Sequence, residues 1–207
     1  MQHANKLAEI GRYGLAALAA LILLSGPSHA TDATLTALSP QPDAGAIESG
    51  LAVVYHYGKF NDVSEVDAAA KAGGGEVGKP IARLDLKTSG EVFGSGVKEL
   101  VGLKIDGLLH FPKPGDWKLV VLSNDGVRVS LADKVILEDP DVHADRYTEP
   151  ATVVVPAAGW YKLAITYFQK KYTSALQLSW KAPGASDFAL IPADAYAHLK
   201  SANGGKS

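Results

Sequence analysis

Asn124 and Asp125 stand side by side in the stretch SNDGVRVSL, residues 123–131. Two adjacent oxygen-bearing side chains are a donor pair for a hard cation such as calcium, which binds through carboxylate, amide and backbone oxygens. The same step followed by Gly126 is equally the chemistry of a tight turn between strands, because Asn, Asp and Gly tolerate the positive φ that hairpin turns need. Both readings stand at this point. A second acidic run, EDPDVHAD, sets Asp139, Asp141, His143 and Asp145 at every second position. It lacks the glycine turn and closing glutamate of a calcium loop and reads as a solvated acidic loop.

Candidates for catalysis are few. Beyond residue 30 the histidines are His56, His110, His143 and His198. None lies in a nucleophile–base motif, and neither Gly-x-Ser-x-Gly nor His-Glu-x-x-His occurs. His56 and His110 alternate with apolar residues and read as outward strand positions. In KAGGGEVGK, Lys79 is followed by Pro80 where a phosphate loop needs Ser or Thr. The absence of cysteine removes thiolate nucleophiles, cysteine metal sites and disulfides. The expectation is a protein that is not an enzyme and is stabilised by its core alone.

Residues 1–30 carry Lys6 and Arg12, then an apolar run from Leu15 to Leu24, then Ser28-His29-Ala30. This is the layout of a secretory signal peptide cut near Ala30; its apolar run of about ten residues is half of what a membrane span requires. The expectation is an exported protein, periplasmic or extracellular, with no membrane span after signal cleavage. A formal net charge of −2 gives no electrostatic case for a nucleic acid partner. Residues 31–49, rich in Ala, Ser, Thr and Pro, read as a flexible leader, 50–199 as one β domain and 200–207 as a disordered tail.

The elements that must position these groups are mostly strands. Period-two alternation aligns Leu51, Val53, Tyr55 and Tyr57; Leu103, Ile105, Leu109 and Phe111; Trp117, Leu119 and Val121. It continues in Val127, Val129 and Leu131, in Tyr161, Leu163, Ile165 and Tyr167, and in Leu176, Leu178 and Trp180. Turn residues separate the runs at Pro112–Gly115, Asn124–Gly126 and Ala157–Gly159. The pattern predicts an all-β fold, an antiparallel sandwich or barrel, with one or two short helices: one in NDVSEVDAAAKAGGG, capped by Asn61, Asp62 or Ser64 and stopped at Gly73, and one in IPADAYAHL opened by Pro192.

The order GLAVVYHY, then KIDGLLHFPKPGDWKLVVLSNDGVRVSLADKVILED, then AAGWYKLAITYFQKKYTSALQLSWKAPG and IPADAYAHL resembles the PA-fourteen (PA14) domain family. That family is named after a fragment of a bacterial toxin's protective antigen and includes fungal flocculin adhesins and inserts in glycoside hydrolases. The resemblance spans about Gly50 to Leu199 and implies a β-sandwich or barrel with carbohydrate recognition as the commonest role. In its sugar-binding members two adjacent aspartates joined by a cis peptide hold a calcium ion, which holds sugar hydroxyls. Asn124 and Asp125 take the place of that pair, and Gln169, Lys170, Lys171, Tyr172 and Thr173 form the loop that supplies further ligands. Asn124 brings no charge, and Lys170 and Lys171 are poor neighbours for a divalent cation. Phe168 and Tyr172 flank the lysines as candidate faces for a sugar ring. The resemblance thus implies a secreted binding module for a glycan or other cell-envelope component, with calcium as a candidate cofactor. The alternative is a metal-free protein-interaction or envelope-assembly module on the same fold.

Overall fold

The computed structural model describes residues 29–200. In chain order its strands are β1 (His29–Ala30), β2 (Ala33–Thr34), β3 (Ile47–Ser49), β4 (Ala52–Tyr57), β5 (Glu76–Val77), β6 (Asp85–Thr88), β7 (Val101–Phe111) and β8 (Gly115–Asn124). There follow β9 (Val127–Leu131), β10 (Lys134–Asp139), β11 (Arg146–Tyr147), β12 (Ala151–Val155), β13 (Gly159–Gln169), β14 (Ser174–Lys181), β15 (Ala189–Leu190) and β16 (Tyr196–Leu199). One α-helix, α1 (Val63–Ala72), lies between β4 and β5. The expected signal peptide, residues 1–30, and the expected tail, 200–207, lie outside the described residues except for 29–30 and 200. Among the described residues no helix is long and apolar enough to cross a membrane.

The strands form two sheets, the all-β sandwich the alternation predicts. One runs β1-β10-β9-β13-β7-β16-β3, with β4 and β5 added beside β7; the other runs β15-β14-β8-β12-β2, with β11 beside β8 and β6 beside β14. The inward faces meet in a single core that takes Val53, Tyr55, Leu103, Ile105, Trp117, Leu119, Val127, Val129, Leu163 and Leu178 from both sheets. The longest pairing, β7 with β13, keeps unbroken register from Phe111 opposite Gly159 to Val101 opposite Gln169.

Helix α1 forms as its ends dictate. The Asp62 carboxylate accepts a hydrogen bond from Ser64 N at 2.7 Å, and Gly73 closes the helix at φ 82°. Its Val63 and Val66 pack with Phe60 and Phe168 on the outer face of the larger sheet. Asp67 on the same helix is held by Lys104 Nζ at 2.7 Å and Arg128 Nη1 at 2.5 Å, and Arg128 also pairs with Glu138. The arginine of SNDGVR therefore anchors helix to sheet.

Several expectations are corrected here. The segment 31–49 is packed on the domain: Ala33 and Thr34 pair in parallel with Val153 and Val154, and Leu35 enters the core, so the composition of a linker coexists with one well-placed apolar anchor. The predicted helix at IPADAYAHL is a single 3-10 turn, Ala193–Ala195, before β16, because Tyr196 and Ala197 find strand partners in Leu109 and Leu108. Tyr57 shares a phase with the core residues yet is 48% exposed, its hydroxyl bound to Ser95 O. His56 is buried instead of outward, since the 73–75 loop covers it: a Cβ on Gly75 would meet its ring at 2.6 Å.

Candidate functional site

Four chain segments meet at one end of the sandwich. There β8 ends at Asn124, β13 ends at Gln169, β14 begins at Ser174 and β10 ends at Asp139. The SNDG step is not a hairpin, because β8 belongs to the smaller sheet and β9, which it leads into, pairs with β10 and β13 in the larger one. Asn124, Asp125 and Gly126 thus carry the chain from one sheet to the other, and the Asn124–Asp125 peptide bond is cis. The Asn124 carbonyl accepts from the buried Tyr167 hydroxyl, and Asp125 N donates to Phe168 O at 3.2 Å.

Gly126 is required by packing. A Cβ there would stand 2.5 Å from the Phe168 ring and 2.5 Å from Pro140 O. The Pro140 carbonyl also accepts from Val63 N at 3.1 Å at the start of α1, so it has little freedom to retreat. Gly126→Ala is therefore expected to cost about 1–3 kcal/mol by overpacking, read as a lower midpoint in urea with an unchanged slope. An unchanged midpoint would show that the crossover can shift without loss.

Between the crossover, the 141–145 loop and the 170–173 loop lies a cleft of about 420 Å³ lined by Asn124, Asp125, His143, Lys170, Lys171, Tyr172 and Thr173, with Val142 and Ala144. Six of the seven expected site residues therefore converge. Gln169 does not reach the cleft: it is fully buried on the inward face of β13, and both its amide atoms lack a hydrogen-bond partner, as does the buried Ser174 hydroxyl. Phe168 is also removed from the candidate sugar faces, since it lies under α1. Tyr172 is 79% exposed at the lip.

Asp125 forms the floor. Its Oδ2 accepts from Lys170 N at 2.7 Å. Burial lifts its carboxyl above the ordinary aspartate range, against the backbone N–H groups of Lys170 and His143, which pull it down. Beside it, Asn124 Nδ2 donates to Asp145 Oδ1 at 2.9 Å and to Thr173 Oγ1 at 3.1 Å. A carboxylate only accepts, so the amide must turn its NH₂ group to Asp145. Lys87 Nζ lies 2.7 Å from the other oxygen of Asp145, and this hydrogen bond is the main reason that carboxyl is held below its usual value.

These donors do not fit a calcium ion, which takes six to eight oxygens at one point. Asn124 presents hydrogen-bond donors to Asp145 and Thr173, and Asp145 is neutralised by an ammonium group. Among the described residues no group of three or more His, Cys, Asp or Glu side chains is placed to hold a metal.

The EDPDVHAD run is solvated only in part: Val142, Ala144 and Asp145 are exposed, but its first half is not. Asp139 is fully buried, and both its oxygens are gripped by the Arg146 guanidinium, with Nε at 2.5 Å. His143 Nε2 lies 3.2 Å from Asp139 Oδ2, and its Nδ1 lies 2.7 Å from Ala144 O. Ser123 Oγ stands 3.5 Å from the same Nε2, but the serine is fully buried and the acid faces the nitrogen nearest the hydroxyl, whereas a catalytic triad needs it on the other. The cluster braces the cleft wall. Only alternation of the acidic residues hinted at it.

The chain is thus a two-sheet sandwich with a polar cleft built from inter-sheet loops at one end. The PA14 domain family matches residues 84–193, more than half of the sequence, and the chain belongs to that family. No curated protein sequence matches it significantly. Among solved structures it is similar to the PA14 domain of the MpAFP antifreeze protein, with TM-score 0.62 and 14% identity over 76% of this chain and 93% of that one. It is also similar to the PA14 sugar-binding domain from an RTX adhesin, with TM-score 0.59 and 14% identity over 72% and 98%. The A domain of epithelial adhesin 9 from Candida glabrata, solved with Galb1-3GlcNAc, aligns with TM-score 0.58 and 12% identity over 84% and 98%. At these identities the likeness is one of fold.

Proposed function

We propose that this protein is an exported, non-enzymatic carbohydrate-binding module that takes a saccharide into the Asn124–Asp125 cleft without a bound metal. The observation that carries the reading is the placement of the Asp125 carboxylate at the floor of a cleft with an exposed Tyr172 ring at its lip. A carboxylate offers about four acceptor positions, and the backbone N–H groups of Lys170 and His143 leave capacity for the paired hydroxyls of a sugar. An aromatic face at the rim suits the apolar C–H surface of a pyranose. The fold's sugar-binding neighbours, the RTX adhesin domain and the epithelial adhesin, support the same class of ligand. No metal is invoked, since the Lys87 ammonium and the Asn124 amide already partner Asp145 from within the chain.

The test is a glycan array followed by calorimetry on the best ligand, in calcium and in chelator. Binding in both, with at least a tenfold loss in Asp125→Ala and an unchanged melting temperature for that variant's fold, is the expected result. Dependence on calcium would sink the metal-free part. Binding to no glycan would sink the whole reading in favour of a protein-interaction module, for which the exposed Val142, Tyr147 and Tyr172 offer an apolar contact surface.

A further inference from the structure

The charges around the cleft are unevenly satisfied. Its acidic groups are partnered from within the chain: Asp125 by the Lys170 backbone, Asp145 by Lys87 and Asn124, and Asp139 by Arg146 and His143. Glu99, at the foot of the 170–173 loop, accepts from Tyr172 N at 3.0 Å. The lysines at the mouth are different. Lys170 Nζ bonds only the neutral Asn61 amide oxygen, at 2.8 Å, and Lys171 has no ion pair or side-chain hydrogen bond among the described residues. Two ammonium groups without carboxylate partners therefore line the opening above a floor that accepts hydroxyl protons.

Resting on the carbohydrate reading above, we infer that the ligand is an acidic saccharide, whose carboxylate or sulfate pairs with Lys171 and Lys170 while neighbouring hydroxyls reach Asp125. A neutral sugar would leave both ammonium groups facing solvent and gain nothing from them. An anionic substituent next to a diol matches the two halves of the site, positive rim and accepting floor. The same arrangement accounts for a lysine pair in a loop that would otherwise repel a divalent cation. Because these pairs are exposed they are screened, and each contributes only a few-fold in affinity.

The experiment compares one glycan core in neutral, sialylated and sulfated forms, titrated into the protein and into a Lys170→Ala/Lys171→Ala variant at low and physiological salt, in chelator. An acidic form, of either kind, is expected to bind about tenfold more tightly than the neutral one at low salt, with the advantage shrinking as salt rises. The double variant is expected to bind all forms within about twofold of one another. Equal affinity for neutral and acidic forms in the wild type overturns the inference and leaves the carbohydrate reading intact. An acidic preference that survives in the double variant overturns it as well, because the charge would then be read elsewhere. No binding by any form overturns both.

Discussion

Truncating Arg146 to alanine is expected to lower the melting temperature by roughly 10 °C, although the residue is half exposed and lies on a two-residue strand. The cause is its partner. Asp139 is wholly buried at the end of β10, and the guanidinium covers both its oxygens; without it the carboxylate keeps only the His143 contact at 3.2 Å. A buried charge stripped of its partner costs about 3 kcal/mol, and in a domain of this size each kcal/mol moves the transition by about 2–4 °C. Removing Asp139 as well should recover part of the loss, so that Arg146→Ala/Asp139→Ala melts above Arg146→Ala, since the double variant buries no unpaired charge. A double variant that melts lower than the single would show that the contact matters through packing alone. The 141–145 loop that walls the cleft hangs on this cluster, so glycan affinity should fall in the single variant at temperatures where it remains folded.

Trp117→Ala is expected to cost more still, about 3–5 kcal/mol, enough to bring a marginally stable domain close to unfolding at 37 °C. Trp117 lies in the core at the opposite end of β8 from Asn124, about 23 Å away along an extended strand. Its ring stands 5.2 Å from Phe111 and 4.6 Å from Trp180, and its indole N–H donates to Lys113 O at 3.2 Å. Phe111 in turn meets Tyr161 edge-on at 5.4 Å, so the substitution empties the centre of an aromatic group drawn from both sheets. Trp117→Phe, which keeps most of the volume but not the donor, should lose less than half as much by chemical denaturation. At 10 °C, where the alanine variant is still largely folded, its glycan affinity should match the wild type, because the cleft is built at the other end. Equal stability of Trp117→Ala and wild type would mean that this aromatic group does not hold the sheets together.

Much of this architecture is legible in the sequence. Alternation in 101–111, 117–122, 127–131 and 161–167 places the core residues, because a strand's period of two puts every other side chain on one face regardless of what lies beyond it. Asp62 and Gly73 mark the ends of α1 for equally local reasons. Six residues of the cleft are visible as two short motifs, Asn124-Asp125 and the 170–173 loop, through their resemblance to a family pattern.

Tertiary structure decided what each of these motifs does. Asn124-Asp125-Gly126 has the composition of a hairpin turn but joins different sheets, because β8 pairs with β14 and β12 while β9 pairs with β13. Phe168 has the phase of an outward residue and is buried because α1, a hundred residues earlier, lies over that face. Gln169, expected as a donor to the site, turns inward with Tyr167, and Asp139 becomes a buried ion-pair member instead of part of a solvated run. Local periodicity determines which side of a strand a residue occupies, whereas burial, pairing and charge compensation depend on groups distant in sequence that fill the space on that side.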